Sequence, residues 1–311
     1  MLVTQPPAQL APKLWMLGTS QYPLYLVKGD REGIVFEGGV GAMGIVLAEQ
    51  LDSLAIPRDF VRQVVITHAH PDHVMAVPLL REVFPAAVVA ASGVAAKTLG
   101  TEKAICFFCK VDSALTEALL RAGAIAERHR PRPLSEMCIA VDRIIREGDT
   151  IAAADNSAAF NVLETPGHSD CSLSFHEPNQ RILIVSDATG YYLPDRGSWW
   201  PNYFTGYGAY LSSMERLAAL GAEVLCLSHN AALKGAAEVK AYFAGAIAAT
   251  RAYHQRIVAE TRAGKPAQQL AAELGSEAYH ASPLLPLEFF QKNCALLVKQ
   301  SLQHEGLSSD K

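Results

Sequence analysis

A chain of 311 residues with 27 Lys and Arg against 31 Asp and Glu carries a net charge of −4. That balance argues against a nucleic-acid binder, which needs a basic face, and no apolar run reaches the roughly 18 residues of a membrane span. Half of the residues are apolar, and a chain this long buries roughly 75% of its unfolded surface without any staple, so a bound metal is expected to serve chemistry rather than folding.

In chain order, Met1–Pro12 carries three prolines and none of the basic and apolar runs of an export leader. Leu24–Lys28 and Gly33–Glu37 read as strands around a Gly-Asp turn, and Met43–Ala55 as a helix closed by Pro57. Val61–Thr67 is a buried strand, Val74–Phe84 a helix and Ala86–Ala91 a strand, an alternation that indicates an α/β protein. Residues 92–123 are mostly helical, and 128–137, with Arg128, Arg130 and Arg132 between prolines, is an exposed connector. A second β-rich block follows: Ile144–Ile151 with an internal Gly148-Asp149 turn, Phe160–Glu164, Ser172–His176 and Arg181–Ser186. Gly206–Leu220 is a helix and Val224–Leu227 the last clear strand. Helical patterns then cover about 237–262, 266–274 and 286–300, broken by Gly264-Lys265-Pro266 and Ser282-Pro283. The shift divides a domain over 1–235 from a C-terminal helical cap over 236–311, and the cap is expected to roof whatever site the strand ends form.

Thr67-His68-Ala69-His70-Pro71-Asp72-His73 stands where an apolar strand ends. Imidazole and carboxylate are ligands for zinc, iron and manganese, and a strand end followed by a turn aims neighbouring side chains into one cavity.

His-x-His-x-Asp-His is the signature of the metallo-β-lactamase superfamily, and the chain resembles that family at each later position. Thr165-Pro166-Gly167-His168-Ser169 supplies a histidine, Ile182–Ser186 leads to Asp187, and Val224–Ser228 leads to His229. The resemblance implies an αββα sandwich, two sheets packed face to face between helical layers, with two divalent transition metals at one edge. It also implies that His68, His70 and His168 hold one metal, that Asp72, His73 and His229 hold the other, and that Asp187 bridges them. Where the family often has Asp-x-Gly, this chain has Glu37-Gly38-Gly39, and Glu37 is expected to support ligands rather than bind metal. The last histidine lies between Ser228 and Asn230 rather than glycines.

Within the superfamily, Glu37-Gly38-Gly39, Gly167-His168-Ser169-Asp170, Ser186-Asp187-Ala188-Thr189-Gly190 and Tyr210-Leu211-x-Ser213-x-Glu215-Arg216-Leu217 resemble the alkyl-quinolone-pathway thioesterases, the quinolone signal response proteins. That likeness implies hydrolysis of an acyl-CoA-type thioester by water activated at two metals, with zinc, iron or manganese all suited, and action through a partner regulator. Asp72 is expected to orient the nucleophile while ligating, and Tyr191 to polarise the carbonyl. A lactonase, a glyoxalase-II-like hydrolase, and a weakly active regulatory module acting through a protein partner are the alternatives. Tyr191, Tyr192, Trp199 and Trp200 make an aromatic segment expected to wall the substrate and pack under the cap, and His280, placed in a loop before the last helix, is expected to reach the pocket.

Cys106 and Cys109 have CxxC spacing on a helix without a second pair, which reads as a buried helix face rather than a redox site. Cys171 reads as a core thiol near the metals, and His254 as an exposed residue of a long helix. Six scattered cysteines and the absence of a leader point to the cytosol. The expected partner is a small-molecule substrate, with no nucleic acid or membrane, and with a homodimer left open.

Overall fold

The computed structural model describes residues 1–307. The chain opens with β1 (Leu2–Val3), then an antiparallel run of β2 (Ala8–Ala11), β3 (Leu14–Gly18), β4 (Pro23–Lys28) and β5 (Gly33–Phe36). From there the pairing turns parallel, which requires crossovers. Helix α1 (Met43–Ser53) carries the chain to β6 (Val61–Val65), α2 (Val77–Val83) to β7 (Val88–Ala91), and α3 (Gly93–Leu99) with α4 (Glu102–Arg121) to β8 (Arg143–Ile144).

The second half builds β9 (Thr150–Ala152), β10 (Ala159–Glu164), β11 (Leu173–Glu177) and β12 (Ile182–Ile184) as an antiparallel meander. A small hairpin follows, β13 (Tyr191–Leu193) and β14 (Ser198–Trp200). Helix α5 (Tyr207–Ala219) then crosses to β15 (Val224–Cys226), parallel to β12, and β16 (Ala232–Lys234) returns beside it. Three helices close the described chain: α6 (Ala236–Arg262), α7 (Ala267–Ala281) and α8 (Leu287–His304).

The strands form two seven-stranded sheets, ordered β2-β3-β4-β5-β6-β7-β8 and β1-β16-β15-β12-β11-β10-β9. Three apolar layers hold them. Between the sheets, the Phe36 ring lies 5.0 Å from Phe160 and 4.9 Å from Phe175, with Tyr25 buried beside them. Outside the first sheet, Leu47, Leu80 and Leu115 bring α1, α2 and α4 onto it. Outside the second, Met214, Phe243 and Leu297 do the same for α5, α6 and α8. Each fully buried large side chain stabilises by about 1.5–3 kcal/mol, and the result is the expected αββα order.

The structure also departs from the sequence reading. β1 to β3 and β16 had no counterpart there. They are short, and Leu14–Gly18 is almost wholly buried without a polar alternation to mark it. Ile144–Ile151 is not one unit: β8 and β9 belong to different sheets, and Gly148, at φ 84°, turns the chain from one to the other. Helix α7 runs on to Ala281, so His280 lies in its last turn rather than in a loop. His254 is buried rather than exposed, stacked on Tyr207 at 3.8 Å with 10° between the planes. Among the described residues no helix is long and apolar enough to cross a membrane.

Close approach at two glycines packs α6 onto the β13–β14 hairpin and α7 onto α8. A Cβ on Gly245 of α6 would meet the Trp199 ring at 2.4 Å, and one on Gly275 of α7 would meet the Gln291 backbone at 2.5 Å. Only glycine allows such contacts.

Candidate metal centre and substrate cavity

The chemistry-bearing side chains gather where strands of both sheets end. His68 and His70 follow β6, Asp72 and His73 lie in the short 3-10 turn Pro71–His73, and His168, Asp187 and His229 follow β10, β12 and β15. The His168 loop is tightly constrained: Gly167 has φ 122°, and a Cβ there would lie 2.3 Å from the Tyr210 backbone.

Two groups have donor atoms within 4.8 Å of one another: His68, His70, His168 and Asp187, and Asp72, His73 and His229. In the first, Nδ1 of His70 lies 3.0 Å from Nε2 of His68 and 2.8 Å from Nε2 of His168. In the second, Oδ2 of Asp72 lies 3.5 Å from Nε2 of His73 and 3.6 Å from Nε2 of His229. Asp187 stands between them, with Oδ2 3.3 Å from His168 and Oδ1 3.3 Å from His229.

The outward nitrogens are tied down. Nδ1 of His168 donates to the Asn202 carbonyl at 2.9 Å, and Nδ1 of His229 to the Gln21 carbonyl at 2.9 Å. Nδ1 of His73 donates to Oε2 of Glu37 at 2.9 Å, and Nδ1 of His68 is hydrogen-bonded to Ser186 at 2.9 Å. A carbonyl or carboxylate can only accept, so in the neutral rings that bind a metal these contacts leave Nε2 of His73, His168 and His229 as inward lone pairs. Nε2 of His73 and Oδ1 of Asp187 are buried with no hydrogen-bond partner. Such orphaned acceptors are costly unless a cation meets them, so the all-N,O set fits a divalent metal.

The charge environment agrees. Burial and the neighbouring imidazoles push His68 well down, and burial with His168 beside it pushes His70 to about 3. Burial would raise Asp187, but His229 and His168 hold it well below the carboxylate range. Burial would lower His73, yet Asp72 and Glu37 outweigh it and raise the ring, so without a cation its Nε2 keeps a proton that a bound metal would displace. Glu37 is thus a buried partner of His73, and it also accepts from Thr67 Oγ1 at 3.0 Å.

A cavity of about 410 Å³ opens over the cluster. His70, Asp72, His168, Asp187 and His229 form its inner end, and Asp72 is the most open of the carboxylates. Tyr191 and Trp200 line it, the Tyr191 ring lying 5.0 Å from His229. Tyr192 and Trp199 do not. Successive strand residues face opposite sides, and these two turn away from the cavity, their rings 5.3 and 5.5 Å from Tyr242 on α6. His280 does not reach the cavity either. It is exposed, and its Nδ1 donates to the Ser276 carbonyl one turn back. The C-terminal helices do reach it, through Leu284 and Leu285 between α7 and α8 and through Phe289, Phe290 and Asn293 of α8.

Sequence reasoning missed the opposite wall, formed by Phe107, Phe108, Val111 and Leu115 of α4. Their helical spacing was visible, but which side of the helix meets the cavity was not. It also missed Tyr22, buried in the turn after β3 with its ring edge-on to His229 at 5.5 Å. Burial, with Asp72 next in weight, holds the Tyr22 phenol well above its usual range, so it stays a proton donor. Cys171 is a core thiol: it is buried and its Sγ accepts from the Ala69 amide at 3.3 Å. Cys106 is exposed and Cys109 only half-buried, so that pair is not a buried face.

The chain belongs to the metallo-beta-lactamase superfamily, whose profile matches residues 17–229. It is 27% identical over 185 residues to a hydroxyacylglutathione hydrolase from Fuscovulum blasticum, a match spanning 59% of this chain and 54% of that relative. The match therefore takes in about half the length of that curated protein. In fold, it is similar to a metallo-beta-lactamase family protein from Thermus thermophilus, with a TM-score of 0.62 and 22% identity over 96% of this chain and 95% of that one. A superfamily protein from Sulfolobus tokodaii matches with a TM-score of 0.53 and 17% identity, over 78% of this chain and 84% of that one. The family and the named relative support a metal-dependent hydrolase.

Proposed function

We propose that the protein hydrolyses a thioester carrying an apolar or aromatic acyl group, at a site holding two divalent metals. The observation that carries this reading is the cavity itself: a His/Asp cluster at its inner end, aromatic and aliphatic walls, and no Lys or Arg among its lining residues. His68, His70 and His168 would hold one metal, Asp72, His73 and His229 the other, with Asp187 shared. Metals bound there would polarise the carbonyl and make water nucleophilic near neutral pH.

The remaining steps fall to the chain's own residues. Tyr191, Trp200, Phe204 and the α4 wall exclude water and seat the acyl group, which strengthens every polar contact at the inner end. Tyr22, kept protonated, donates to the carbonyl oxygen as it gains charge, a role that the geometry supports for Tyr22 alongside Tyr191. The Tyr191 ring lies against His229, 5.0 Å away. Asp72, the most open carboxylate, orients the attacking water. A thiolate leaves without a strong general acid, which suits a site that offers none. A phosphodiester would call for cationic side chains beside the metals to meet its charged oxygens, and no Lys or Arg lines the cavity.

A second reading, closer to the relative's name, is hydrolysis of an acylated glutathione, itself a thioester. The C-terminal helices from residue 236 would act as a cap in either case. The test is a parallel assay of aryl and acyl thioesters, S-lactoylglutathione, homoserine lactones and bis(p-nitrophenyl) phosphate at equal metal loading. The thioesters with apolar acyl groups should have the highest kcat/KM. A clear preference for the lactone or the phosphodiester overturns the assignment.

A further inference from the structure

A second cavity, of about 540 Å³, lies beside α4, and it shares no lining residue with the one over the metal cluster. Helix α4 divides the two. Phe108, Val111 and Leu115 line the substrate cavity, and Cys109, Asp112 and Thr116, each one residue further on, line the second. One residue is about 100° around a helix, so a neighbouring stripe of the same helix faces a different space. The start of α1 and the start of α2 supply the other walls, through Ile45, Met75 and Leu79.

The Arg- and Pro-rich connector after α4 closes this space with Pro131, Pro133 and Leu134. Roof and floor meet at Gly41, where a Cβ would stand 2.7 Å from Oδ2 of Asp112 and 2.9 Å from Cγ of Pro131. Both guanidinium groups in the lining are matched by carboxylates. Arg130 pairs with Glu117 and Glu127, and Arg132 with Glu82 at 2.7 Å. Such exposed pairs hold weakly, so the connector is a cover that a ligand can displace.

The buried polar groups of the lining are not matched. Asp112 is 5% exposed and Thr116, one turn on, 1%. Oδ1 of Asp112 accepts from the Gly41 amide at 2.6 Å, and among the described residues Oδ2 has no hydrogen-bond donor. Of the groups around this carboxyl, only that amide favours its ionised form. Oγ1 of Thr116 is buried with no hydrogen-bond partner at all. A buried carboxylate without a cation and a buried hydroxyl without a partner are each costly, and here they stand one helical turn apart on the same cavity. An ammonium group, which carries three donors and one positive charge, answers both. A divalent metal fits less well, because it calls for several oxygen ligands and the other carboxylate of the lining, Glu82, is held by Arg132.

We propose that this second cavity binds a small primary amine with an apolar body, its ammonium group meeting Asp112 and Thr116 and its body lying against Ile45, Met75, Leu79 and Leu134. The site stands independently of the substrate assigned to the metal cluster. Its ligand would press on the helix that also walls the substrate cavity, so α4 is the element through which occupancy of one space is felt in the other.

The test titrates n-hexylamine and phenethylamine calorimetrically into the metal-loaded full-length protein at pH 7.5, beside 1-hexanol and hexanoate. At least one amine should saturate a single site and bind about tenfold or more tightly than the alcohol. Asp112→Asn should weaken it about tenfold or more and Thr116→Val about threefold, with Tm confirming that both variants fold. Bound amine should also slow amide exchange in α4 around residues 109–116 and in the connector over 128–135, and this slowing should be absent in Asp112→Asn. Failure of both amines to saturate a site overturns the proposal. So does equal binding in wild type and Asp112→Asn, which would move the amine to the metal cluster or elsewhere. Alcohol binding as tight as the amine would leave an apolar cavity without an ammonium site, and tighter hexanoate binding would turn the site over to Arg130 and Arg132; either contradicts the proposal.

Discussion

At the inner end of the cavity, polar side chains leave four loops at strand ends, and carbonyl, carboxylate or hydroxyl partners grip the outward nitrogens of His68, His73, His168 and His229. The outer walls come from α4, the segment around α7 and α8, and one face of the β13–β14 hairpin, and they meet the cavity through apolar side chains alone or nearly so. The first region tolerates no change of position, because lone pairs must converge on one point. The second needs only volume and apolarity, which many sequences supply. Chemistry is therefore expected to be concentrated at one end and selectivity at the other, and substitutions should separate the two.

The largest effect is expected from Asp187→Asn. Its carboxylate faces both halves of the cluster, so elemental analysis should find both metals depleted, with kcat/KM down by about a hundredfold or more. Full occupancy in this variant would break the comparison at its inner end. Next comes Glu37→Gln, which touches no substrate. Losing the carboxylate on His73 Nδ1 should weaken metal binding by about 10–100-fold in a chelator competition.

The hairpin offers a sharper cut, since its two faces should behave differently. Trp200→Ala should lower kcat/KM for apolar acyl thioesters by about tenfold while metal content holds. Trp199→Ala, which removes the ring packed against Gly245 and Tyr242, should cost about 2–4 kcal/mol in denaturant melts and leave the ranking of substrates as it was. If both variants changed the ranking equally, the division of the hairpin into two faces would be wrong.

The smallest effect belongs to Asp112, on the side of α4 away from the cavity. It is buried, accepts from the Gly41 amide at 2.6 Å, and burial pushes its carboxyl up to about 6. A carboxyl raised above its unfolded value favours the fold below about pH 4 and loses that advantage as pH rises through 6. Asp112→Asn should therefore gain about 1–3 kcal/mol relative to wild type between pH 5 and pH 7.5. A difference that did not move with pH would remove the buried carboxyl from the account.

The same contrast explains what could be read from the sequence. His68, His70, Asp72 and His73 stand at a fixed spacing after an apolar strand, and His168, Asp187 and His229 each follow another, so the inner end is written locally. Glu37 was legible as a supporting residue for the same reason. The walls are not local. That Phe108 and Leu115 of α4 face Phe290 of α8 depends on how distant helices dock, and no spacing within either helix states it. Two misreadings had a signal that could have corrected them. Alternation along a strand separates Tyr191 and Trp200 from Tyr192 and Trp199, and an unbroken apolar stripe through Ala278 keeps His280 inside a helix, where its ring bonds back to Ser276. His254 had no such signal, because its burial follows from Tyr207 on another helix.

The account stands most directly on a metal titration of the metal-free chain, with thioester hydrolysis and bound metal followed together. Activity on an apolar acyl thioester should be absent without metal, rise with added zinc, iron or manganese, and reach its plateau at about two equivalents per chain, with the Asp187→Asn protein failing to follow. Full hydrolysis in the metal-free chain, or a chain that binds metal at the cluster and turns over no thioester at any loading, would contradict it.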